Sequence, residues 1–383
     1  MNILMVSPYF YPDGGGAEFY LYKIVEGLSK EHEVTVLCTG NSKTEFNDNI
    51  KIFSLRHDFK ISTSPVSLTA VTDVASHIKK ANFDVCNINY YLPYFPDVAA
   101  IVSKIYNLPS VMTWHNDVVG NGMLRPLASI YNNTLNKITL NVVDKIITPS
   151  PYCYNESPFL KDFRDKMVWI PPGVDLEKYE RTPTLSIREK YGIKDYQQII
   201  LFVGVMNKST AHKGVNILLK AFQKIYNKYK DAILLMVGKG DMVSYYKKCC
   251  KSLGINDRVI FTGFVDETVL INIYRASEVL VLPSTTVQEG FGMVLIEANA
   301  CGKPVIGSRI GGIKYVIKEG VTGLLATPKD PDSLADAISY LLENPSKANK
   351  MGKKGRKMVE NHYGWHKVVE KTFDVFSTLE GVY

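Results

Sequence analysis

Two glutamates, Glu289 and Glu297, bracket the run Gly290-Phe291-Gly292-Met293-Val294. The segment ahead of it, Val279-Leu280-Val281-Leu282, is apolar and rich in β-branched residues, as a buried parallel strand should be. A helix is expected to follow. Gly290 and Gly292 remove Cβ atoms where a backbone must approach a ligand closely. The amides of Phe291, Met293 and Val294 then stand at a helix start, where free N–H groups suit an anion or a hydroxyl oxygen. One carboxylate sits beside the turn, and the other lies on the helix in reach of a vicinal diol such as ribose. The plainer alternative makes both glutamates solvated helix-end charges.

Other segments offer complementary chemistry. Lys213, in His212-Lys213-Gly214 ahead of the helical run Val215 to Phe222, is a candidate cation for a diphosphate leaving group, whose growing charge a preset cation stabilises. Gly14-Gly15-Gly16 follows the first strand and precedes a helix containing Phe19, Leu21, Ile24 and Leu28, so the amides of Gly15 and Gly16 are expected to face phosphate. Neither this loop nor Gly238-Lys239-Gly240 has the Gly-x-Gly-x-x-Gly spacing of dinucleotide binding, which counts against a dehydrogenase. His115 ends the apolar strand Ser110 to Thr113 and should point into the crevice of a doubly wound sheet. Asp117 could orient it or meet an acceptor. Asp330-Pro331-Asp332 imitates an Asp-x-Asp metal motif, but its setting reads as a capped helix start, and no metal site is expected.

These residues need a frame to hold them. Short apolar runs alternate with amphipathic helical stretches: residues 3–6, 34–38, 85–88, 110–113, 145–148 and 168–170, then 199–203, 233–237, 259–262, 279–282 and 304–307. The rhythm predicts α/β architecture with two Rossmann-like halves. Pro171 to Tyr179 combines chain breakers with polar residues and reads as the hinge. Residues 1–174 form the expected N-terminal domain and 175–364 the C-terminal one. At 383 residues the chain is long enough for two ordinary cores.

Composition narrows the class. No apolar run approaches the roughly 18 to 20 residues that span a bilayer. Residues 2–7 start directly in a strand with no basic segment before them, so a cytoplasmic protein is expected. The six cysteines lack metal or redox spacing. A net charge of +7 suits anionic partners without choosing among them. The lysines between 347 and 357 carry no interleaved aromatics and read as a solvated helix face, so no nucleic-acid partner is expected.

The glutamate-spaced run with its Ala300-Cys301-Gly302-Lys303-Pro304-Val305-Ile306 tail resembles the donor-site signature of retaining GT-B glycosyltransferases of the group 1 family, also called family 4. Gly14-Gly15-Gly16-Ala17-Glu18, Thr113-Trp114-His115-Asn116-Asp117, Gly173-Val174-Asp175, Lys213-Gly214, Gly238-Lys239-Gly240-Asp241 and Thr262-Gly263-Phe264-Val265 follow in the family's order, so the likeness covers nearly the whole chain. The resemblance implies two Rossmann-like domains facing a central cleft, with residues 365–383 crossing back to the N-terminal domain. Trp365, Val368, Val369, Phe373 and Phe376 supply the apolar spacing for that docking.

The resemblance also implies roles. Lys213 meets the diphosphate, His115 the transferred sugar and Glu289 the donor hydroxyls, while Phe264 and Val265 border the nucleobase. The family's arginine is replaced by Val205, and Lys208 is the candidate substitute. The implied reaction moves a hexose, with retention, from a nucleotide diphosphate sugar to a carbohydrate or lipid-linked acceptor, with neither metal nor cofactor. Gly120 to Leu127 is expected to touch an anionic membrane. The alternatives are a GT-B nucleotide-sugar epimerase acting without an acceptor, and a non-catalytic sugar-binding relative.

Overall fold

The computed structural model describes residues 1–13, 15–40, 49–120, 122–181 and 184–379. Two compact units emerge, Met1–Gly173 together with the chain from Trp365 onward, and Val174–Gly364.

The first unit is built on a seven-stranded sheet in the spatial order Ile50–Leu55, Glu33–Thr39, Asn2–Ser7, Val85–Tyr90, Ser110–Trp114, Lys145–Thr148 and Met167–Trp169. All of its pairs are parallel. The order reverses between Asn2–Ser7 and Val85–Tyr90, and loops leaving such a switch point diverge and leave room for a ligand. Helix Gly16–Leu28 buries Tyr20, Leu21, Ile24, Val25 and Leu28, a 3–4 spacing that puts one stripe on the sheet. Helix Trp365–Ser377 closes over it, with Val368 and Phe376 fully inside and Trp365, Val369 and Phe373 packed at the margin. Gly27 permits the close approach, since a Cβ there would fall 2.4 Å from a Val369 methyl. The C-terminal helix therefore belongs to the first unit's core.

The second unit repeats the plan with six parallel strands, Val259–Gly263, Ala232–Val237, Gln198–Val203, Val279–Leu282, Val305–Ser308 and Gly323–Ala326. Its switch point lies between Gln198–Val203 and Val279–Leu282. Helix Pro331–Glu343 starts as its sequence dictates: Asp330 Oδ1 accepts from the amides of Asp332 at 2.9 Å and Ser333 at 3.2 Å, and Pro331 takes the first turn. Helix Pro345–His362 turns Ala348, Met351, Met358 and Val359 inward and leaves Lys347, Lys350, Lys353, Lys354 and Lys357 in solvent. No helix among the described residues is long and apolar enough to cross a membrane.

Three features go beyond the sequence expectation: strands Ile50–Leu55 and Gly323–Ala326, and the small antiparallel pair Phe59–Ile61 with Ser64–Val66. The two sheet strands are edges, where half of the residues or more can stay partly exposed and no continuous apolar run is required.

Phe376 has 0 % of its surface exposed, so Phe376→Ala should cost about 3–5 kcal/mol of stability. Urea unfolding would measure this, and a loss below about 1 kcal/mol would show that the C-terminal helix is not part of the core.

Candidate active site

The second unit's switch point brings together residues far apart in the chain. Gly214 sits at φ +76°, and a Cβ on it would lie 1.9 Å from Pro283 O, so only glycine lets this segment lie against the loop after Leu282. The Thr285 amide and hydroxyl both donate to His212 O, at 2.7 and 3.1 Å, and fasten the two loops. Lys213 Nζ is thereby held 2.7 Å from Glu289 Oε2, with side-chain exposures of 22 % and 14 %. The Ser284 hydroxyl faces the same oxygen at 3.5 Å. Burial alone would raise the Glu289 carboxyl, but the Lys213 charge and hydrogen bond, aided by His212 and Ser284, hold it below its ordinary value. Burial lowers the pKa of His212 itself, with Lys213 adding to that and Glu289 opposing it.

The glutamate turn is braced from behind. A Cβ on Gly312 would lie 1.8 Å from Gly290 O, and the Gly312 amide donates to Glu289 O at 3.2 Å. A Cβ on Gly311, which sits at φ +53°, would lie 2.9 Å from Glu289 O. Gly292, at φ +88°, caps helix Met293–Ala300. The first local bond in that helix runs from the Leu295 amide to Gly292 O, so the Met293 and Val294 amides stand ahead of it as first-turn donors. The Phe291 ring is buried and packs edge-on to Tyr363 at 5.9 Å. Only its main chain can meet a ligand.

Glu297 lies on the second turn of the same helix and accepts a 2.6 Å hydrogen bond from the Tyr274 hydroxyl. Burial raises its pKa, the Tyr274 bond opposes the rise, and Glu267 adds to it. Phe264 is 74 % exposed, with Lys239 Nζ 5.4 Å above its ring, while Val265 leans against the core. Lys208 is exposed, and its amide is fixed to Asp241 Oδ1 at 2.9 Å. Among the described residues, the cation paired with Glu289 is Lys213.

In the first unit the glycine loop is already engaged. The Gly15 amide donates to Glu18 Oε2 at 2.7 Å, an N3 carboxylate reaching back to its own helix start. Gly15 therefore does not offer its N–H to phosphate as expected. Gly16, the first helical residue, remains a candidate, and Gly14 lies outside the described residues. Asp117 is corrected too: it is 3 % exposed and accepts from Trp114 Nε1, Tyr152 OH and Ser157 Oγ. These three donors hold it as a structural carboxylate, away from the His115 ring.

His115 follows strand Ser110–Trp114, its amide donating to Tyr90 O at 3.0 Å. Its ring stands edge-on to Tyr20 and Tyr91, at 5.3 and 5.9 Å between centroids, and Nε2 lies 3.1 Å from Asn89 Oδ1. Burial lowers its pKa to about 4, so the imidazole is neutral near pH 7. The sequence reading gave no role to His212, Ser284, Gly311 or Gly312. For the glycine pair the adjacent Gly-Gly after a strand was the available signal.

Comparison with known proteins agrees with this geometry. Residues 184–358 match the model of Glycosyl transferases group 1, and residues 14–178 match that of Glycosyltransferase Family 4. An uncharacterized glycosyltransferase of Methanocaldococcus jannaschii is 29% identical, with 98% of each chain covered. The D-rhamnosyltransferase WbpZ of Pseudomonas aeruginosa is 31% identical over 78% of this chain and 74% of its own. Among solved structures, Anabaena HepE in complex with UDP superposes with a TM-score of 0.80 at 19% identity, covering 99% of this chain and 100% of that one. Two parallel Rossmann-like units, each with a switch point, and a 31% identical relative thus place the chain in the group 1, family 4 glycosyltransferases of GT-B fold.

Proposed function

We propose that this glycosyltransferase moves a hexosyl group, with retention of configuration, from a nucleoside diphosphate sugar to a hydroxyl of a carbohydrate or lipid-linked acceptor, without metal or cofactor. The observation that carries the reading is the Lys213–Glu289 pair, set beside the Met293 and Val294 amides at a switch point. A diphosphate there meets a cation and two N–H donors in fixed positions, which stabilise the charge that grows on it as the sugar leaves. Lys213 and the amides take the part that a divalent ion plays elsewhere.

Glu289 gives up Lys213 to the diphosphate and accepts from the donor sugar's hydroxyls. Glu297, steadied by Tyr274, accepts from the ribose diol, and the exposed Phe264 face borders the nucleobase. The neutral His115 meets the transferred sugar. Retention follows from front-face attack, in which the departing phosphate takes the incoming hydroxyl's proton.

A membrane-bound acceptor is supported by an exposed apolar stripe. Met123, Leu127 and Ile130 are 95%, 59% and 61% exposed along turn Gly122–Leu124 and helix Arg125–Asn133, with Arg125 and Lys137 nearby to meet anionic headgroups. The reaction is then placed at the cytoplasmic face of a membrane, by peripheral contact.

Glu297→Ala should weaken nucleoside diphosphate binding about 10-fold or more by calorimetry, as expected when a charged hydrogen-bond partner is lost. Glu289→Ala and His115→Ala should lower kcat by about 10²–10³ while leaving nucleotide affinity nearly intact. Mass-spectrometric screening of nucleotide sugars identifies the donor, and NMR of the product's anomeric proton, with and without chelator, reads retention and metal independence. Sugar scrambling without an acceptor, or unchanged kinetics in all three variants, would reject the assignment. Flotation with vesicles containing phosphatidylglycerol should carry the wild type upward and leave a Leu124→Ser, Arg125→Glu double variant behind. Equal recovery of both would remove the membrane contact.

A further inference from the structure

Strands Val85–Tyr90 and Ser110–Trp114 pair in register, Asn87 opposite Val111 and Asn89 opposite Thr113. Asparagine is a poor strand former and costly to bury, yet Asn87 and Asn89 are 2% and 1% exposed in the middle of a parallel sheet. Asn87 Nδ2 lies 3.2 Å from Val111 O and 3.0 Å from Thr113 Oγ1. The Thr113 hydroxyl lies 3.4 Å from Asn87 Oδ1 as well, so the direction is set by a main-chain carbonyl. A main-chain carbonyl can only accept, so the Asn87 nitrogen must face it, and this fixes the orientation of the whole amide.

The rest follows link by link. Asn87 Oδ1 is turned to Asn89 Nδ2 at 3.1 Å, so Asn89 donates there and its own oxygen faces His115. That oxygen, 3.1 Å from Nε2, can only accept, so Nε2 must carry the hydrogen. In the neutral ring Nδ1 is then a bare lone pair. Nδ1 has no hydrogen-bond partner among the described residues, and His115 as a whole is half-buried.

We propose that Asn87 and Asn89 are positioning residues that read the direction of the Val111 carbonyl and lock His115 as the Nε2–H tautomer. Through Nδ1 the ring therefore accepts a hydrogen bond from a substrate hydroxyl and does not donate one. The use of that hydroxyl rests on the proposed contact of His115 with the transferred sugar; the tautomer does not. A site of this kind discriminates by hydrogen: replacing the recognised hydroxyl with fluorine, which cannot donate, should be as damaging as deleting it.

The test is long-range ¹H–¹⁵N correlation on the full chain labelled at histidine. The free wild type should show His115 with a protonated Nε2 and a pyridine-like Nδ1. In Asn89→Leu the signature should shift to a mixture, and kcat should fall about 10–100-fold, the range seen when a supporting hydrogen-bond partner is removed. Adding Asn89→Leu to His115→Ala should cost nothing further, because the amide acts through the ring. A wild-type spectrum with hydrogen on Nδ1 would overturn the proposal without any variant having to fold. So would an unchanged tautomer in Asn89→Leu, or additive losses in the double variant. Full turnover in His115→Ala would overturn the role at the sugar while the wild-type spectrum still reported the tautomer, so the two failures are distinguishable.

Discussion

An ammonium and a carboxylate from positions 76 residues apart meet at 2.7 Å where the second sheet reverses its order. Much of the surrounding loop structure exists to hold them there. Gly214 lets one loop lie on the carbonyl of Pro283, Thr285 ties that loop to the next, and Gly311-Gly312 braces the turn that carries the carboxylate. As a source of stability the pair is poorly chosen, since exposed ion pairs contribute about 0–1 kcal/mol and buried ones must first offset desolvation. As a preset charge it is well chosen. In the proposed function, Lys213 is kept in position by a partner that a diphosphate, with more charge, replaces, and the released carboxylate then accepts from sugar hydroxyls.

The first unit handles its candidate side chain in the opposite manner. His115 is kept neutral by burial, and its orientation is controlled by buried amides instead of an ion pair. Asp117, which from the sequence could have been its partner, is used instead to fasten Trp114 to Tyr152 and Ser157. An ionised carboxylate next to the ring would favour imidazolium, and a strand-borne amide avoids that.

Much of the frame was legible in the sequence because parallel strands buried on both faces leave continuous apolar runs, as at residues 199–203 and 279–282. The docking of helix Trp365–Ser377 was implied by the family resemblance, with apolar spacing in the helix to support it. The edge strands Ile50–Leu55 and Gly323–Ala326 were missed for the converse reason. The sequence named candidate residues and not their contacts: nothing in the spacing of Lys213 and Glu289 says that they touch, since only strand order brings them together. Gly15 shows a different failure. The expectation of an open amide nest at Gly15 overlooked Glu18, three residues on, whose position was itself a signal for a carboxylate reaching back to the helix start.

The most direct test of the preset pair is calorimetric binding of a nucleoside diphosphate and of the matching nucleoside to Lys213→Met and Glu289→Gln. Lys213→Met should lose about 10–100-fold for the diphosphate, the value of a charge-assisted hydrogen bond, and little for the nucleoside. Glu289→Gln should bind the diphosphate at least as tightly as the wild type, because the carboxylate no longer competes for the ammonium. Equal losses for diphosphate and nucleoside in Lys213→Met, or weaker diphosphate binding in Glu289→Gln, would contradict the account.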